Sequence, residues 1–73
     1  MKVRIRLDTL TDIKNFVEIA SRETQPVYIT DNKGLCVSAK SILGAMYSLE
    51  FDAIWCEAEE DIYHKIENFI IID

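Results

Sequence analysis

The sequence predicts an α+β fold: a four-stranded, mostly antiparallel sheet with three helices on one face, in the order βαββαβα. Three observations point there. Apolar and polar residues alternate at Lys2 to Leu7 and again at Ile54 to Ala58, the period of half-buried strands. Between and after them, apolar residues recur at helical spacing in three places. Two further short alternating runs flank Asp31, Asn32, Lys33 and Gly34, a turn composition that closes a hairpin.

In chain order, Lys2, Arg4 and Arg6 alternate with Val3, Ile5 and Leu7 as a first strand with one wet face. Thr9 and Asp12 then stand at the spacing of a capping box, so a helix starts there. Its apolar stripe is Ile13, Phe16, Val17 and Ala20, with Lys14, Asn15, Glu18 and Arg22 facing water. Pro26 ends the helix and enters a second strand in which Val27 and Ile29 point inward. Leu35, Val37 and Ala39 form the returning strand, with Gly34 supplying the positive φ of the turn.

Ser41 to Leu49 places Ile42, Leu43, Met46 and Leu49 at helical spacing behind a serine cap, and Leu43 is expected to face the core. A last strand follows at Ile54, Cys56 and Ala58. Glu59, Glu60 and Asp61 then fall in the first turn of a final helix, where the macrodipole favours them, and Ile62, Ile66, Phe69 and Ile70 form its stripe. Strand parity puts Tyr28, Thr30 and Trp55 on the uncovered sheet face, as a contact patch or as shelter for the sheet.

Residues 1–73 read as one domain, 49% hydrophobic with only two glycines and one proline, so the chain can bury a core along most of its length. A net charge of −5 argues against a nucleic-acid partner, which needs clustered lysine and arginine. No stretch approaches membrane-spanning length and no leader is expected, so a cytoplasmic location follows. Cys36 and Cys56 lack the spacing of a metal site or a redox dithiol and are expected to be small buried residues, a disulfide between them being the lesser alternative. No metal site and no cofactor are expected.

The stretch "AKSILGAMYSL", with Lys40, Ser41, Ile42, Gly44 and Met46, is similar to the regulatory-serine segment of the HPr-like family, the small phosphocarriers of the bacterial sugar phosphotransferase system. The strand "AIWCEA" and the acidic residues after it fit as well. The resemblance spans nearly the whole chain and implies the HPr-like βαββαβα fold. It also implies a phosphate-accepting histidine after the first strand, with an arginine two residues later. Here that loop reads "LDTLTD": the histidine's place falls at Thr9 or Leu10 and the arginine's at Asp12. Asp8 and Asp12 bring negative charge to where a phosphoryl group would sit. The single histidine, His64, lies in the final helix and matches no motif position.

The resemblance further implies that Ser41 is a phosphorylation position and that Lys40, Ile42 and Met46 lie where partners dock. By its residues alone, Ser41 is a helix cap, and a cap needs no kinase. Three functions follow. The first is a non-catalytic, HPr-like regulatory or interaction module whose partner is a transport-system protein, a kinase or a transcriptional regulator. The second is a working phosphocarrier. The third is a small-molecule or assembly domain using the open face of Tyr28 and Trp55, for which a homodimer is one form.

Overall fold

The computed structural model describes residues 1–72 and has the expected element order. Strand β1 (Lys2–Ile5) leads to helix α1 (Leu10–Ser21), a hairpin of β2 (Val27–Thr30) and β3 (Cys36–Ser38), helix α2 (Ile42–Tyr47), strand β4 (Ile54–Ala58) and the short helix α3 (Tyr63–Ile66). Single 3-10 turns extend α2 over Ser48–Glu50 and α3 over Glu67–Phe69.

The sheet runs β1-β4-β2-β3, and every neighbouring pair is antiparallel. β1 and β2 are therefore parallel with β4 inserted between them, and β3 and β4 are parallel with β2 inserted. Helices α1 and α2 make the two crossovers that this arrangement requires. The register sets Val3, Cys56, Ile29 and Val37 side by side across one face, and Arg4, Trp55, Thr30 and Cys36 across the other.

The first face carries the core. Phe16 and Ile13 of α1 are fully buried with Ile5, Ile29, Cys56 and Ile66 in one apolar cluster. Phe69 meets the edge of the Phe16 ring at a centroid distance of 5.3 Å. The stripe Ile13, Phe16, Val17 and Ala20 is buried as its spacing required. At the start of α1, Thr9 Oγ1 accepts from the Asp12 amide at 3.1 Å, and the Asp12 carboxylate accepts from the amides of Thr9 and Asp8 at 3.3 and 3.0 Å. This capping box satisfies amide donors that a bare helix start leaves free.

The hairpin turn takes positive φ at Asn32 (62°) and Gly34 (115°). Asp31 Oδ1 accepts from the amides of Lys33 and Leu35, which holds the Asp31 carboxyl below its usual range. Thr30 lies on the open face, as its parity places it, and is buried there. Its hydroxyl donates to the Leu35 carbonyl at 2.8 Å and accepts from the Asn32 amide at 3.0 Å, so the turn folds over it.

Two expectations are corrected. Cys36 is exposed, because β3 is an edge strand and residue 36 points away from the core, whereas Cys56 on the central strand is buried. Cys36 pairs with Thr30 and Cys56 with Ile29, so the two thiols lie on opposite faces of the sheet and are both free. The final helix is also shorter than expected. Glu59, Glu60 and Asp61 precede it: the Glu60 amide donates to Gln25 Oε1 at 2.8 Å, and Asp61 Oδ1 accepts from the Tyr63 amide at 2.8 Å. After Phe69 the chain turns back along β1, where Arg6 donates to the Phe69 carbonyl and Ile71 to the Arg4 carbonyl. That segment covers the free edge of the sheet.

Among the described residues no helix is long and apolar enough to cross a membrane. Phe16→Ala is expected to cost about 3–5 kcal/mol in urea denaturation. Lys14→Ala, on the exposed side of the same helix, should stay within about 0.5 kcal/mol. Equal losses from the two would contradict a core centred on Phe16.

Candidate functional site

Helix α2 is the part of the molecule whose packing runs against its own sequence pattern. Ser41 caps it, its Oγ accepting from the Gly44 amide at 3.1 Å. The inward side is made of small residues: Gly44, half-buried, and Ala45 and Ser48, both buried. A Cβ on Gly44 would stand 3.2 Å from the Ser38 carbonyl oxygen of β3, closer than most such contacts. The Ser48 hydroxyl is satisfied within the helix by the Ala45 carbonyl.

Because the small residues take the inward positions, the large ones point out. Leu43, expected in the core, is 79% exposed, and Tyr47 is 60% exposed. Ile42, Met46 and Leu49 are exposed with them, so five of the nine large exposed hydrophobic residues among the described residues lie within eight consecutive positions. The Tyr47 ring meets the edge of Phe51 at 6.0 Å, which steadies the end of the patch. Leu7 and Asp8 line a crevice with Ser48, Leu49 and Phe51, so the loop after β1 abuts this surface.

The residues singled out in the sequence are divided among three places. Ser41, Ile42 and Met46 share the outer surface of α2. Lys40 stands apart: it is half-buried, and its ammonium donates to the Glu23 carbonyl at the end of α1 at 2.7 Å. Tyr28 and Trp55 lie on the open sheet face, with the sheet between them and the helices. Trp55 is half-buried there, with the Arg4 guanidinium 5.7 Å from its ring centre, as the Arg4 to Trp55 register dictates. Lys2 adds a contact to Asn32 and a 3.6 Å ion pair to Glu57 on the same face.

The loop after β1 is occupied by the chain's own groups. The Asp12 carboxylate takes the amides of Asp8 and Thr9, Arg6 lies 3.7 Å from Asp8, and no imidazole is near. His64 is almost fully exposed on α3, 3.7 Å from Glu67. Among the described residues there is no cluster of His, Cys, Asp and Glu that could hold a metal ion. At the far end of α1, Glu23 is largely covered and bonded by Lys65 at 2.6 Å, which holds its carboxyl below the usual range.

Comparison of the chain with protein-family models, with curated proteins and with solved structures returns no match. Leu43 and Tyr47 were not marked as surface residues by their spacing. The signal that locates them is the small set Gly44, Ala45 and Ser48, spaced at three and four residues as a competing inward stripe.

Burial pushes the Cys56 thiol up to about 11, from an ordinary 9.0. A group whose folded pKa is raised gives stability that is complete below its unfolded pKa and is lost as pH rises through the folded one. Stability is therefore expected to fall by on the order of 2 kcal/mol between about pH 9 and pH 11. Cys56→Ala should flatten that alkaline limb. In a thiol titration of the native protein at pH 8, Cys36 should react at once and Cys56 only on unfolding; two fast thiols would contradict the placement of Cys56.

Proposed function

We propose that the chain is a non-catalytic, HPr-like interaction module, related to the sugar phosphotransferase system, that engages another protein through the outer surface of α2. The observation that carries this reading is the inversion of that helix, with small side chains against the sheet and Ile42, Leu43, Met46, Tyr47 and Leu49 in water. Exposing apolar area in one block is costly in a domain of this size unless a partner covers it. The similarity of "AKSILGAMYSL" to the family's regulatory-serine segment supports the same surface.

Ser41 lies at the edge of the patch with its Oγ exposed and bonded only to the Gly44 amide, a position that a kinase can reach. A phosphoryl group there would keep its amide contact and add charge beside the apolar side chains. The phosphocarrier reading is weaker. The loop offers no nucleophilic imidazole, and the Asp12 carboxylate already uses amides that would hold a phosphoryl group.

With an HPr kinase and ATP, the protein is expected to gain one phosphate at Ser41, and Ser41→Ala to gain none. Ser41→Ala should also lose about 1 kcal/mol through the missing cap. With phosphoenolpyruvate and the phosphotransferase donor enzyme, no acid-labile phosphate should form. Acid-labile phosphate on the chain would restore the carrier reading, and an unmodified Ser41 would remove the signalling part.

A further inference from the structure

We propose that the outer edge of β3 and the exposed side of α2 form one interface, and that its occupant is a second copy of this chain. The inference rests on the docking reading above for α2 and names the partner that docks.

The two edges of the sheet are finished differently. Ile70 and Ile71 run along the β1 edge, whereas among the described residues no strand lies outside β3. The Ala39 amide donates to the Val27 carbonyl and the Asp31 amide to the Leu35 carbonyl, so Leu35, Val37 and Ala39 turn their backbone groups toward β2. Those of Cys36 and Ser38 therefore point outward. The Ser38 carbonyl takes the Ser41 amide at 3.3 Å and keeps a second lone pair. Such an edge is its own complement. About a two-fold axis at Val37, Cys36 of each copy faces Ser38 of the other, and the two residues exchange N–H to C=O hydrogen bonds in both directions. A strand of three residues holds little by itself, but α2 lies against it and brings apolar side chains to the same end of the molecule.

The distribution of charge fits the same occupant. From Asn32 to Leu49, a span that contains β3 and α2, the chain has no acidic residue, although it has 13 in all and a net charge of −5. Six of the nine large exposed hydrophobic residues among the described residues fall in that span, Leu35 and the five of the α2 surface. At its margins Glu23 is bound by Lys65, Asp52 lies 3.8 Å from Lys33, and Glu50 follows at the far end of the helix. Two copies that meet through this span bring together apolar surface depleted of charge, the composition of a homodimer interface at its centre. Their carboxylates stay outside the contact, so the charge that each copy carries does not oppose it at close range.

Sedimentation of the purified full chain over a range of concentrations tests this. A dimer is expected, and Leu43→Glu should weaken it at least about tenfold by setting a carboxylate in the apolar contact. Cys36→Pro removes an outward N–H and leaves the bonds to β2 in place, so it should weaken the dimer as well. Tyr28→Glu, on the open sheet face, should leave it unchanged. Far-UV circular dichroism confirms that each variant is folded. A short bis-maleimide should join two copies through the exposed Cys36, whose diagonal separation across such a pair is about 7–8 Å, and it tests the edge without a substitution.

The failures separate. A chain that stays monomeric at every concentration overturns the second copy as partner. A dimer that ignores Leu43→Glu, or that Tyr28→Glu breaks, places the contact elsewhere and overturns the inference too. A dimer lost with Leu43→Glu but neither weakened by Cys36→Pro nor joined through Cys36 overturns the edge pairing and keeps α2 as the contact. The docking reading itself fails only if the chain is monomeric and Leu43→p-benzoylphenylalanine labels nothing on irradiation in an extract of its own cells.

Discussion

The constraint on which the structure depends is that a chain of this length can cover only one face of its sheet. The covered row Val3, Cys56, Ile29 and Val37 sits under Phe16 and Ile13, and the supply of helix is used up in doing so: twelve residues in α1, six in α2 and four in α3. α1 spans the middle and provides most of the helical contribution to the core. α2 is left over the β3 end, where the strand is three residues long and the Ser38 carbonyl leaves no room for a large side chain beneath the helix. Gly44, Ala45 and Ser48 fit that approach. The outward turn of Leu43 and Tyr47 is thus a consequence of sheet coverage, fixed by packing before any partner is considered.

The same limit shapes the other face. Tyr28 and Trp55 cannot be roofed by a helix, so the sheet shelters its tryptophan with a neighbouring strand's arginine and closes the hairpin over Thr30. Trp55 is half-buried in that setting, while Tyr28 stays exposed. On α2 five large apolar side chains are exposed within eight positions, a denser patch than the single exposed tyrosine of the open sheet face.

Much of this was legible in the residues. Thr9 and Asp12 announced their capping box by spacing, the α1 stripe named its four core residues, and Gly34 marked the hairpin by the backbone conformation that it alone adopts freely. The failures are equally specific. α2 carries two stripes at once, one large and one small, and hydrophobic periodicity favours the large one although the close approach of β3 admits only the small one. Cys36 was misplaced because its exposure depends on β3 being an edge strand, a fact of strand order that local sequence does not carry. The acidic run Glu59 to Asp61 resembled a helix start by charge, but its hydrogen bonds to Gln25 and Tyr63 turn it into the loop before the helix. The candidate surface is half legible: the sequence points to Ser41, Ile42 and Met46, which lie there, and to Lys40, which is drawn to Glu23, while periodicity puts Leu43 on the wrong side.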